Sequence, residues 1–133
     1  MPRTASVNQP EPPILLREQV GSIAVLTLNR PAARNSLSER LIAELHGALN
    51  ELRDDTGVRG VVIAANGPAF SAGHDMKEMT ARRSDPDRGR AYFAQLMNAC
   101  SAMMQAVVLC SSWRFRSGIE EPRSMRVLSV AIT

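Results

Sequence analysis

The hydrophobic period of this chain changes twice between residues 23 and 65, and that change restricts it to folds with a parallel strand pair. Ile23-Ala24-Val25-Leu26-Thr27-Leu28 is an apolar run of strand length that stops at Asn29-Arg30-Pro31, because proline has no N–H to give to a sheet ladder. Leu37, Leu41, Ile42, Leu45, Leu49 and Leu52 then recur at helical spacing on one stripe, which predicts an amphipathic helix. Ser36 and Ser38 are candidate N-caps, and Glu39, three residues after Ser36, fits a capping box. Asp54-Asp55-Thr56-Gly57 ends the helix. The continuous run Val61-Val62-Ile63-Ala64-Ala65 suits a strand covered on both faces. Strand, helix, strand in this order predicts a right-handed crossover joining two parallel strands.

The flanks complete an α/β pattern. Ile14-Leu15-Leu16 reads as an earlier strand, turned into the next at Val20-Gly21-Ser22, behind a proline-rich flexible leader at residues 1–13. After the buried strand come a loop at 66–75, a short helix at 76–79, a charged linker at 82–89 and a second long helix at 90–108. Tyr92, Phe93, Leu96, Met97, Cys100, Met103, Met104 and Val107 are assigned to the core-facing side of that helix. This divides the chain into a leader (1–13), a folded unit (14–108) and a tail (109–133).

Composition excludes several classes. With 133 residues, 44% of them hydrophobic, one core is affordable. No stretch approaches the roughly 18 apolar residues of a membrane span, and no apolar segment follows a basic start as in a secretory signal, so a cytoplasmic location is expected. Cys100 and Cys110 stand without a CxxC pair or a Cys/His cluster, and both are read as thiols, with no metal site. The net charge of +3 rests almost wholly on arginine, Lys77 being the single lysine. Those arginines are interleaved with acids and aromatics make up 4%, so no nucleic-acid-binding face is expected.

The loop carries the chemistry. Read alone, Gly67-Pro68 and Ala72-Gly73 are turn punctuation, Asp75 is the N-cap of the short helix, and His74 belongs to the side-chain class best suited to a general base. However, Ala69-Phe70-Ser71-Ala72-Gly73-His74-Asp75-Met76-Lys77-Glu78-Met79 resembles the oxyanion-hole signature of the crotonase (enoyl-CoA hydratase/isomerase) family. Leu26-Thr27-Leu28-Asn29-Arg30-Pro31, Asn35-Ser36-Leu37-Ser38 and Gly60-Val61-Val62-Ile63 precede it in the family's order. His74 after Ala72-Gly73 resembles the subgroup of enoyl-CoA hydratase domain-containing proteins. The resemblance implies a ββα-spiral crotonase-like α/β fold, here truncated. It also implies an acyl-CoA thioester as ligand, with coenzyme A entering as part of the substrate and no separate cofactor. The expected activity is enoyl-CoA hydration or isomerisation, a lyase-class step in fatty acid metabolism.

In that family two backbone N–H groups hold the thioester oxygen as it gains charge. By resemblance, the N–H of His74 is the first donor. Ala33, Arg34, Ala72, Gly73, His74, Asp75, Met76 and Lys77 would line the CoA track, with Arg34 and Lys77 beside the phosphates. The second donor and two acid–base glutamates would follow the second long helix. Residues 109–133 offer only Gly118 and the adjacent Glu120 and Glu121, without the family's Gly-rich turn; residues 127–132 could form a short strand that cannot be aligned. The tail is therefore expected to reflect a reading-frame change or truncation, with a diverged short variant as the rival. Family members form trimers or hexamers, which a shortened chain is not expected to build. Loss of later spiral turns would expose apolar faces and lower stability.

Overall fold

The computed structural model describes residues 10–112 and 126–132, with side chains as far as residue 108. Most of the leader, together with Gly118, Glu120 and Glu121, lies outside the described residues. Four strands form one sheet in the order β1-β2-β3-β4. Strands β1 (Leu15–Val20) and β2 (Ile23–Leu28) are an antiparallel hairpin in which Leu15 faces Leu28 and Val20 faces Ile23. Gly21 makes the turn at φ 60°, a conformation that costs glycine little. Helix α1 (Glu39–Asp54) carries the chain to β3 (Gly60–Ala65), which pairs parallel with β2. Helix α2 (Met76–Ala81) and helix α3 (Arg90–Ser112) follow, joined through a 3-10 turn at Arg82–Ser84.

The core is the leucine stripe pressed onto the sheet. Leu41, Ile42, Leu45, Leu49 and Leu52 of α1 are all buried, as are Ala24, Leu26 and Leu28 on one face of β2. Each large side chain so buried contributes about 1.5–3 kcal/mol relative to exposure, which stabilises a 16-residue helix that would be marginal in isolation. Strand β3 is buried along its length except at half-buried Val62, as a strand covered on both faces should be.

Two sequence expectations give way. The cap of α1 is Ser38, whose hydroxyl accepts the Leu41 N–H at 3.1 Å. The Ser36–Glu39 capping box does not form, because the helix begins at Glu39 and Ser36 is turned toward Asp75. On α3, Leu96, Met103 and Ala106 are buried and Tyr92, Met97, Cys100 and Val107 pack partly against the core. Phe93 and Met104, assigned to the core side, are instead 49% and 52% exposed. Only part of this predominantly apolar helix fits against the core.

Residues Arg126–Ile132 form β4, parallel to β3 on the side away from β2. The register slips once: Val61 faces Val127 but Val62 faces Ser129, so Leu128 is an extra residue in the ladder, a bulge. The last part of the tail thus joins the sheet of the main unit.

The α1–α3 packing predicts unequal responses to truncation. Leu49→Ala is expected to cost about 2–5 kcal/mol and Phe93→Ala at most about 0.5 kcal/mol in urea denaturation. Equal losses would mean that α3 turns a different face to the core.

Candidate functional site

Parallel pairing places the site. Because Leu28 of β2 lies opposite Ala65 of β3, both strands end at the same edge of the sheet. The connections that leave them, residues 29–38 and 66–75, therefore emerge side by side.

Asn35 fastens the two connections together. It is fully buried and left-handed at φ 52°, a region that asparagine enters more readily than most residues. Its Oδ1 accepts the Arg30 N–H at 2.8 Å. Its Nδ2 donates to the carbonyls of Asn66 and Ala69 at 2.8 and 2.9 Å. Gly67, at φ 96°, lies so close to Pro31 that a Cβ there would sit 2.7 Å from the proline Cβ. The Ala72 N–H donates to the carbonyl of Arg34 at 3.0 Å. Arg34 and Asn35 are thus tied to the second connection at Asn66, Ala69 and Ala72.

A single parallel bridge orients the donor. The Leu37 N–H donates to the Gly73 carbonyl at 2.7 Å, and the Asp75 N–H donates to the Leu37 carbonyl at 3.0 Å. The groups on either side of His74 are used, so its own N–H is turned away from Leu37. Among the described residues that N–H has no hydrogen-bond partner. The imidazole Nε2 is buried and also without a partner there. Ala72 and Gly73 are exposed. Gly73 has φ 94° with open space where a Cβ would stand, so it is needed for its backbone angle rather than for lack of room.

Helix α2 is held at its first turns. Asp75 caps it through Oδ1, which accepts the Lys77 N–H at 3.0 Å. Asp75 Oδ2 receives Arg30 Nη2 at 3.0 Å and lies 3.4 Å from the Ser36 hydroxyl. The Arg30 guanidinium also donates to the Ser36 carbonyl. Glu78 accepts the Glu39 N–H at the start of α1, at 2.9 Å, and the Tyr92 hydroxyl at 3.4 Å. The Asp75 carboxylate is therefore a structural cap committed to its own protein, whereas Met76 and Lys77 are exposed. Arg34 is exposed as well, and neither Arg34 nor Lys77 forms an ion pair among the described residues.

Sequence reasoning missed Arg30 and Asn35 as organisers of the site. Their partners are up to 45 residues away, beyond any local pattern, and the one available sign was an asparagine in a tight turn beside a proline. Cys100 is a half-buried free thiol. Among the described residues no three His, Cys, Asp or Glu side chains gather as a metal site, and no helix is long and apolar enough to cross a membrane.

A hairpin, a parallel crossover and a backbone donor presented after the third strand define a crotonase-like α/β fold. The chain belongs to the enoyl-CoA hydratase/isomerase family, whose model matches residues 18–110. It is 31% identical over 106 residues to human mitochondrial enoyl-CoA hydratase domain-containing protein 3, covering 80% of this chain and 33% of that protein. The crystal structure of enoyl-CoA hydratase from Mycobacterium smegmatis aligns at TM-score 0.66 with 44% identity, over 72% of this chain and 36% of the other. The crystal structure of human enoyl-CoA hydratase domain-containing protein 3 aligns at TM-score 0.63 with 30% identity, over 71% and 36%. The similarity to domain-containing protein 3 agrees with the subgroup suggested by Ala72-Gly73-His74. The chain spans about a third of the length of these curated relatives.

Asp75 makes stability depend on acid. Burial alone would raise its pKa, but hydrogen bonds from Arg30 and from the Lys77 and Glu78 N–H groups outweigh it and hold the carboxyl below its ordinary value of 3.8. A depressed folded pKa adds stability that is complete above the unfolded value and is lost as pH falls through the folded one. The difference in urea midpoint between the parent chain and Asp75→Asn should therefore be constant above about pH 5 and shrink below about pH 4. A difference that stays level down to pH 2.5 would show that the carboxylate charge is not what anchors α2.

Proposed function

We propose that this chain binds an acyl-CoA thioester, with the His74 N–H directed at the thioester carbonyl oxygen. One observation carries the reading: the Leu37 bridge uses the backbone groups flanking His74 and leaves its own N–H unpartnered at an exposed Ala-Gly corner. A buried or exposed donor without a partner in a pre-set direction suits a charge that appears on a ligand. Arg34 and Lys77, both exposed and free of acidic partners among the described residues, supply positive charge on either side of that corner for the CoA phosphates. No cofactor is needed beyond the CoA moiety of the substrate, and a cytoplasmic location remains part of the proposal.

The activity of the parent family, hydration or isomerisation of an enoyl-CoA in fatty acid metabolism, needs more than one donor. It needs a second N–H on the oxyanion and an acid–base pair to activate water and protonate the α-carbon. Asp75, the carboxylate next to the donor, is engaged by Arg30 and Lys77. Residues 109–133 carry no Gly-rich turn, and their glutamates are adjacent rather than spaced. A non-catalytic CoA-binding unit is accordingly the second reading for these 133 residues alone.

Two measurements follow. Purified chain mixed with crotonyl-CoA should show no detectable hydration. A missing second donor costs about 10²–10³ in rate and a missing acid–base pair roughly 10²–10⁴ more. Turnover near that of a full-length relative would establish the enzyme reading instead. In titration calorimetry, His74→Pro should abolish binding of an acyl-CoA by deleting the N–H. His74→Ala should change it little, since the side chain gives up no hydrogen bond within the described residues. Arg34→Ala with Lys77→Ala should weaken CoA more than a pantetheine thioester that lacks the nucleotide. Equal losses for both ligands would remove the two cations from the site.

A further inference from the structure

A second feature lies one helical turn beyond the donor. A cavity of about 340 Å³ opens between α2 and the start of α3. Met76, Met79, Tyr92 and Phe93 line it together with three arginines, Arg83, Arg88 and Arg90. No carboxylate is among its lining residues. None of the three arginines forms an ion pair among the described residues. Asp87, beside Arg88, exerts some attraction on Arg90 but is occupied by the N–H groups of Gly89 and Ala91 at 2.9 and 2.8 Å, and Asp85, two residues from Arg83, forms no ion pair among the described residues. The neighbouring Arg82 stacks 4.7 Å from the centre of the Tyr92 ring.

The turn that presents the arginines is tightly specified. Arg88 and Gly89 are both left-handed, at φ 59° and 80°. A Cβ on residue 89 would come within 2.9 Å of the Arg82 carbonyl oxygen. A non-glycine residue held at positive φ carries a conformational cost that the surrounding structure must offset. Here that cost is accepted at the point where Arg88 is set beside Arg83 and Arg90.

Met76, which lines the cavity, follows His74 by two residues and is 63% exposed. From Met76 to Ala81 helix α2 rises roughly 7.5 Å, and the 3-10 turn at Arg82–Ser84 carries Arg83 beyond its end, a span on the scale of a medium-length acyl chain. Met76 and Met79 of α2 and Arg83 of the 3-10 turn line the cavity, whereas Lys77 does not. A thioester with its oxygen at His74 can thus send its nucleotide toward Arg34 and Lys77 and its acyl group toward the cavity.

We propose that the cavity receives the far end of the acyl group and that this end carries a carboxylate. The ligand class is then the CoA thioester of a dicarboxylic acid. The methylene chain would lie on Met76, Met79 and Phe93, and the terminal carboxylate would meet the guanidinium cluster in charge-assisted, bidentate hydrogen bonds. This rests on the acyl-CoA reading given above.

The test compares three ligands by titration calorimetry on the full chain: hexanoyl-CoA, its ω-carboxylated counterpart adipyl-CoA, and free CoA. Adipyl-CoA should bind roughly tenfold more tightly than hexanoyl-CoA, the scale of one good hydrogen-bonded charge contact. Arg83→Gln with Arg90→Gln, both exposed in the parent chain, should erase that preference and leave hexanoyl-CoA and CoA unchanged. Equal binding of the two thioesters by the parent chain would overturn the inference while leaving the CoA site standing. So would a double variant that weakens all three ligands by the same factor, because the arginines would then be meeting the nucleotide phosphates. Failure of all three ligands to bind would instead overturn the CoA reading itself.

Discussion

The candidate site depends on one buried amide. Asn35 has no solvent contact, and its three hydrogen bonds reach one backbone donor and two backbone acceptors in two separate connections. Nothing apolar could replace it without stranding those groups, at about 1–3 kcal/mol for each one left buried and unpaired. Other amides extend the tie: Asn66 donates to Asn29 at 3.0 Å, and Asn29 donates to the Pro13 carbonyl at 2.9 Å. The edge of the sheet from which the site rises is therefore fastened by side-chain amides in addition to the short Leu37–His74 bridge.

Around that tie the protein uses two kinds of force for two purposes. The leucine stripe of α1 on β2 and β3 supplies non-directional burial and hence most of the stability. The polar groups at the strand ends supply direction. The Arg30–Asp75 pair illustrates the division. A mostly buried ion pair is weak evidence of net stabilisation, yet removing one partner is costly because the other charge is left uncompensated. Its structural effect is to place the first turn of α2, and with it the His74 corner, at a set position relative to β2. Glu78, bonded to the first amide of α1 and to Tyr92, does the same between helices.

Element order and the donor loop were legible in the sequence because they rest on local periodicity and on a contiguous motif. The run at 61–65 is a buried strand, and Asp75 is the cap it was read to be. What was not legible rests on partners remote in sequence or on choices between similar residues. Ser36 and Ser38 are both good caps, and only the tertiary bond of Ser36 toward Asp75 leaves the role to Ser38. Helix α3 is apolar over most of its circumference, so periodicity could not tell Met103, which is buried, from Met104, which is exposed. The run at 127–132, read as a possible short strand, lies in β4, but neither its parallel pairing with β3 nor the bulge at Leu128 follows from a local pattern.

The contact between Gly67 and Pro31 has a thermodynamic consequence. With only a hydrogen where a Cβ would collide, and with Asn35 bonded across the same gap, the two connections form one rigid body before any ligand arrives. Flexible binding loops lose configurational freedom on capture, and that loss is subtracted from affinity. Here the ordering is completed during folding, so the free energy of contact at this corner is available for recognition rather than for immobilising the receptor.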